Sequence, residues 1–141
     1  MPKHKRATAH EGGCLCGAVR YRVSGEPRAL TRCHCRSCRL ASGAPSLAWA
    51  IFRTEDFALI AGKLARFASS PGVVRTFCAN CGTSLTYRSA ARPEAIDVTT
   101  ATLDEPSRFA PTKEIWTGHA LAWQPLDATL SHYPRSSRGA Q

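Results

Sequence analysis

Apolar and polar side chains alternate along Ala18-Val-Arg-Tyr-Arg-Val23, the period-two pattern of a strand with one buried face and one wet face. Short apolar runs follow at Leu47-Ala-Trp-Ala-Ile-Phe52 and Phe57-Ala-Leu-Ile60. The polar stretch Arg53-Thr-Glu-Asp56 separates them, so they read as neighbouring strands. Further strands are expected at Leu64–Ser69, Val73–Phe77, Thr83–Tyr87, Ala95–Thr100 and Lys113–Trp116. Gly62-Lys63, Pro71-Gly72 and Arg92-Pro93 supply the turns between them. Only Cys38–Gly43 reads as a helical turn, with Gly43 as its stop. The pattern predicts a mainly β domain, an antiparallel sandwich or folded sheet, rather than an alternating α/β fold.

Composition narrows the class without changing that expectation. A chain of 141 residues fits one domain and is long enough to bury roughly two-thirds of its unfolded surface, so metal need not supply all of its stability. Its 43% hydrophobic and 21% charged content is ordinary for a soluble globular protein. No apolar run approaches the ~20 residues of a membrane helix, so no membrane partner is expected. The basic start Met1-Pro-Lys-His-Lys-Arg6 leads into Ala-Thr-Ala-His-Glu-Gly-Gly13 rather than an apolar stretch. That is not a secretory signal, and a reduced, cytoplasmic setting is expected. Lys and Arg exceed Asp and Glu by 19 to 10, a formal charge of +9. Part of the excess lies at Lys3, Lys5, Arg6, Arg135 and Arg138. These positions suggest flexible basic tails at 1–11 and 135–141 around a single domain at 12–134. Nucleic acid is not expected as the main partner, because no reading helix or stacking sheet is recognisable.

Seven cysteines in three tight clusters point to chemistry: Cys14-Leu-Cys16, Cys33-His-Cys-Arg-Ser-Cys38 and Cys78-Ala-Asn-Cys81. Thiolates bind Zn²⁺ at about 2.3 Å, and four must converge on one tetrahedron, which favours close pairs contributed by distant segments. In an extended segment Cys-x-Cys places both sulfurs on one face. Cys-x-x-Cys suits a tight turn, and Gly82 follows Cys81 where a knuckle needs a permissive backbone. Disulfides fit poorly: seven is odd, and pairing within Cys-x-Cys would be strained. A redox Cys78/Cys81 pair would leave five cysteines unexplained and lacks a surrounding βαβ pattern. Seven thiolates on two Zn²⁺ ions would lower the charge by three, to about +6. Spacing alone does not fix the partition, since Cys35, Cys38, Cys78 and Cys81 would also make a plausible ribbon. Trp49, Trp116 and Trp123 read as core aromatics, and His119 and His132 carry no assigned role.

The cysteine segments Gly12–Tyr21, Cys33–Gly43 and Phe77–Leu85 together resemble the glutathione-dependent formaldehyde-activating enzyme family, whose domain a vertebrate centromere protein shares. Trp116, Trp123-Gln-Pro125 and Tyr133-Pro134 resemble that family's tail. The resemblance implies Mss4-like folded β-sheets with zinc-binding knuckles and two zinc ions per chain. It implies that Cys14, Cys16, Cys78 and Cys81 hold a structural zinc, and that Cys33, Cys35 and Cys38 hold a second with an open fourth position. A small thiol such as glutathione could fill that position and, as thiolate, attack formaldehyde to give S-hydroxymethylglutathione; the reverse is carbon–sulfur lysis. Three thiolates neutralise the ion, so the second site is expected to present a thiolate more than to act as a strong Lewis acid. His34 between two ligands, and Arg36 and Arg39 beside Cys38, are the candidate substrate contacts, the arginines through ligand carboxylates. A zinc-stabilised, non-catalytic module binding nucleic acid or protein is the competing class. An enzyme should place its open metal site in a pocket, whereas a module should show a continuous basic surface.

Overall fold

The computed structural model describes residues 8–137. Its strands are β1 (Ala9–Gly13), β2 (Arg20–Ser24), β3 (Ala29–Cys33), β4 (Leu47–Arg53), β5 (Phe57–Ala61) and β6 (Leu64–Ser70). They continue with β7 (Val73–Cys78), β8 (Ser84–Ser89), β9 (Ala95–Thr99), β10 (Lys113–Ile115) and β11 (Ser131–His132). One α-helix, α1 (Arg36–Ser42), interrupts them, ending where Gly43 takes φ 68° and returns its N–H to the Arg39 carbonyl. Each strand expected from the sequence is present, with ends displaced by no more than two residues. β1, β3 and β11 were not expected. β1 is Ala-His-Glu-Gly-Gly, with little strand propensity, and it forms by pairing along its whole length with β2.

β1, β2 and β5 form one antiparallel sheet, and the other eight strands form a second in the order β11-β10-β3-β4-β9-β8-β7-β6. The expectation of a purely antiparallel arrangement is corrected at one edge, where β10 runs parallel to both β3 and β11. Parallel neighbours require a long crossover. The chain supplies it between β9 and β10, where two short 3₁₀ turns, Thr100–Thr102 and Pro106–Phe109, carry it across the molecule. The expected tail boundaries also shift. Ala9–Glu11 lie within β1, and the Arg135 carbonyl accepts the Trp116 N–H at 3.0 Å, so both stretches belong to the fold. Lys3, Lys5, Arg6 and Arg138 lie outside the described residues.

The two faces of the large sheet do different things. Even-numbered residues of β4 and β9, namely Ala50, Phe52, Ile96 and Val98, pack with Tyr21 and Val23 of β2 into the main core. Fully burying Tyr21 or Phe52 contributes roughly 2–3 kcal/mol each. The Tyr21 hydroxyl is satisfied at 2.7 Å by Thr102, and its ring lies so close to Gly12 that a Cβ there would collide with it. Odd-numbered residues face the other way: Thr31 and Cys33 of β3, Trp49 and Ile51 of β4, Arg75 of β7, Tyr87 of β8, Asp97 of β9. That second face is the floor of a cavity.

Candidate functional site

Two turns face each other to form a four-sulfur cluster. Cys14 and Cys16 lie not in extended chain, as spacing suggested, but on the turn joining β1 to β2, closed by Gly17 N–H on the Cys14 carbonyl at 3.1 Å. Cys78 ends β7 and Cys81 lies in the β7–β8 turn, where Gly82 takes φ 80° and donates to the Cys78 carbonyl at 2.9 Å. The Leu15 N–H donates to the Thr83 hydroxyl at 3.1 Å and clips one turn to the other. All four sulfurs lie within 4.8 Å of one another, with Cys14–Cys16 at 3.5 Å and Cys16–Cys78 at 3.8 Å. Bonds of 2.3 Å in a Zn–S₄ tetrahedron give an edge of about 3.8 Å, so the donor set fits zinc. Backbone N–H groups of Val19, Asn80 and Cys81 point at these sulfurs at 3.2–3.3 Å, and the Thr83 hydroxyl helps hold Cys81 down to about 5.

A second cluster forms where β3 turns into α1. Cys33 is the last residue of β3, Cys35 caps the helix by accepting the Cys38 N–H at 3.3 Å, and Cys38 lies in the first turn. Their sulfurs also lie within 4.8 Å, and no fourth Cys, His, Asp or Glu joins them among the described residues. Hydrogen bonds from Cys33 and Cys38 pull Cys35 far below the usual thiol range, and the same contacts push Cys33 up. Three acidic groups this close cannot all ionise without a cation between them. The set therefore suits a soft divalent ion held by three ligands with one position open. The Cys38 sulfur also accepts the Trp49 indole N–H at 3.4 Å and faces both Nη atoms of Arg75 at 3.8 Å.

This cluster opens into a cavity of about 450 Å³. Trp49, Tyr87, Ile115 and Trp116 supply apolar walls. Trp116 is the only non-glycine residue at positive φ among the described residues, at 55°, which marks a locally strained backbone beside the site. Cations dominate the polar lining. Arg92 pairs with Asp97 at 3.3 Å, while Arg28, Arg36 and Lys113 make no ion pair among the described residues. Burial pushes the Asp97 carboxyl up to about 6 despite Arg92.

The structure gathers the seven cysteines as four plus three and does not form the alternative ribbon of Cys35, Cys38, Cys78 and Cys81. Of the candidate substrate contacts, only Arg36 reaches the cavity. Arg39, about 100° around the helix from Cys38, is half-buried away from it. His34 is fully buried on the opposite side of the strand from its cysteine neighbours, with Nε2 2.6 Å from Glu114. Among the tryptophans, Trp49 and Trp116 line the cavity and Trp123 is 70% exposed, so the core reading fails for Trp123. His119 lines the cavity too. Sequence reasoning missed Arg28, Arg75, Asp97 and Lys113. Only Asp97 carries a local signal, odd parity on a strand whose even positions Ile96 and Val98 are apolar; Arg75 and Lys113 lie on strands without that alternation, and Arg28 merely precedes β3.

A family profile described as glutathione-dependent formaldehyde-activating enzyme matches residues 9–119. A lyase of Schizosaccharomyces pombe, named as uncharacterized, is 33% identical over 78 residues, covering 55% of this chain and 56% of the relative. A Halomonas elongata protein, provisionally named a glutathione-dependent formaldehyde-activating enzyme, is 32% identical over 105 residues, 67% of this chain and 65% of the relative. The chain thus spans less than two-thirds of the length of either. A Rhodobacter sphaeroides protein of known crystal structure shares the fold, with TM-score 0.58, 24% identity, and coverage of 87% of this chain and 98% of that one.

Proposed function

The chain belongs to the glutathione-dependent formaldehyde-activating enzyme family, and from that premise we propose that it is a zinc-dependent carbon–sulfur lyase or synthase acting on adducts of a small anionic thiol such as glutathione. The observation that carries this reading is the three-sulfur cluster opening into a cationic cavity. A concave pocket at an incomplete ligand set suits a small molecule better than a broad macromolecular surface.

Cys14, Cys16, Cys78 and Cys81 would hold one zinc and Cys33, Cys35 and Cys38 the other. When bound at the second set, zinc supplies positive charge that favours the ionised form of an incoming thiol. The chain's own residues do the rest. Arg28, Arg36 and Lys113 receive carboxylates through charge-assisted hydrogen bonds. Trp49, Tyr87 and Trp116 exclude water. In the forward direction the thiol sulfur bonds to the formaldehyde carbon, the carbonyl π pair moves to oxygen, and that oxygen takes the proton the thiol has lost. The reverse breaks the carbon–sulfur bond. Asp97, raised toward neutrality, is the lining group suited to hold that proton. Thiolate ligation of this kind requires reduced cysteines, which supports a reducing compartment such as the cytoplasm as the setting for this activity.

The test follows S-hydroxymethylglutathione formation from glutathione and formaldehyde by exchange NMR on protein of measured zinc content. Wild type should accelerate the exchange above the uncatalysed rate, and folded Cys35→Ala should not. A wild-type protein with two zincs and no acceleration would refute the reading.

A further inference from the structure

We propose that Arg75 is a positioning residue of the three-thiol centre, which acts through Cys38 and, together with the Trp49 indole, offsets the charge that would otherwise repel an anionic sulfur. The proposal rests on the thiol-handling reading above. Three thiolates around a divalent ion carry a net charge of −1, and an incoming thiolate makes it −2. In a cavity walled by Trp49, Tyr87 and Trp116 that repulsion is poorly screened. A nearby cation must offset it.

Arg75 is placed to do so. It is only 8% exposed and makes no ion pair with a carboxylate among the described residues. Its Nε donates to the Ser69 hydroxyl at 3.2 Å, which fixes the plane of the guanidinium. Both Nη atoms then stand 3.8 Å from the Cys38 sulfur, and the guanidinium carbon lies 5.0 Å over the Tyr87 ring. A buried guanidinium needs a counter-charge. The nearby carboxylate, Asp97, feels the charge of Arg75 but is hydrogen-bonded by Arg92, so the acidic atom that the Arg75 Nη groups face directly is the Cys38 sulfur. The three sulfurs are treated unequally: Cys38 faces an indole and a guanidinium, Cys35 receives the Cys38 amide, and among the described residues no side-chain N–H donor reaches either Cys33 or Cys35. Hydrogen bonds to a thiolate draw electron density from it, so donors on Cys38 restore some of the electrophilic character that three thiolates remove. Arg75 sits on β7, which is paired on both sides, with Tyr87 directly opposite it on β8, so the charge is held on rigid scaffold.

The experiment uses the full-length zinc-loaded protein and the variants Arg75→Met, Arg75→Lys, Trp49→Phe and, as a control, Arg36→Met. Calorimetry measures binding of glutathione and of 2-mercaptoethanol, which has no carboxylate. Arg75→Met should weaken both thiols by the same factor, at least tenfold, as expected for a lost charge-assisted contact. Arg75→Lys should recover most of the loss, and Trp49→Phe should weaken both thiols by a smaller common factor. In the cobalt-substituted protein, the sulfur-to-metal charge-transfer band should move to longer wavelength in Arg75→Met and Trp49→Phe but not in Arg36→Met. A loss confined to glutathione would make Arg75 a carboxylate receptor and overturn the proposal. So would a lowered melting temperature with unchanged thiol affinities and an unmoved band. If Arg75→Met does not fold, Arg75→Lys and Trp49→Phe decide it by the same criteria. If the wild type binds neither thiol, the functional reading fails, while the band still judges the role of Arg75 at Cys38.

Discussion

Replacing Glu114 by Gln should destabilise the protein by about 3 kcal/mol and loosen the second cysteine cluster. Glu114 is completely buried. Its carboxylate accepts from the Arg32 guanidinium through two nitrogens, from His34 Nε2 at 2.6 Å and from the Asp127 N–H at 2.6 Å. Burial alone would raise its pKa, but Arg32, the Asp127 amide and His34 together hold it down to about 2 from an ordinary 4.5. That gap corresponds to roughly 3 kcal/mol, in line with the 3–5 kcal/mol lost when one partner of a buried pair is removed. Gln keeps the shape but loses the charge, and its amide turns a donor toward groups that are themselves donors. The melting temperature should fall on the order of 10 °C. A depressed carboxylate pKa contributes stability above the unfolded value and loses it as pH falls from 4.5 toward about 2. The difference between wild type and variant should therefore be flat above about pH 5 and shrink only below it. Because His34 lies between Cys33 and Cys35, the variant should also yield zinc from that cluster to a chelator faster than wild type. A melting temperature within about 2 °C of wild type, or a difference that widens in acid, would refute the role assigned to this carboxylate.

Cys81→Ser should lose one zinc and most of the fold, because its cluster joins turns 62 residues apart, as Cys16 and Cys78 are, and metal binding there is coupled to folding; unchanged zinc content and melting temperature would count against it. Cys35→Ala should remain folded yet lose thiol binding by calorimetry, since its cluster closes only a short loop and contributes less to stability. Asp97→Asn should alter the pH dependence of unfolding. A carboxyl raised from 3.8 to about 6 contributes fully below 3.8 and costs up to about 3 kcal/mol as pH rises through 6, so wild type should lose stability relative to the variant over that window. Parallel pH-dependent unfolding curves for the two proteins would exclude that titration.

What could be read from the chain and what could not divide along physical lines. β2 was legible because one face is buried and the other wet, which writes a period of two into the sequence. β11 has two residues, and its pairing with β10 depends on where the crossover delivers the chain, which no local pattern encodes. The knuckles were legible because metal ligation demands close cysteine pairs, whereas their partition was not, since spacing says nothing about which pairs meet. The cavity was the least legible feature. Arg28, Arg75, Asp97 and Lys113 come from distant segments and converge only through the order β10-β3-β4-β9-β8-β7.

That strand order also explains why a buried carboxylate and its ion pair stand beside the three-cysteine cluster. In β3 and the residues after it, the two-residue period sends Cys33 and Cys35 toward the cavity and His34 to the opposite side. A slip of one residue would exchange them, burying two sulfurs away from the third and placing His34 in the cavity. β10 is only three residues long and parallel to β3, so its backbone bonds alone specify register weakly. Arg32 and Glu114 are direct register partners in that pairing, and their side chains close on each other on the face away from the cavity. A slipped pairing would leave a charge unpaired in the interior, at a cost of several kcal/mol. The Arg32–Glu114–His34 network therefore acts as the register lock that keeps the three cysteines aimed at one point. Its failure should appear first as lost metal at the second cluster, with the four-cysteine knuckle intact.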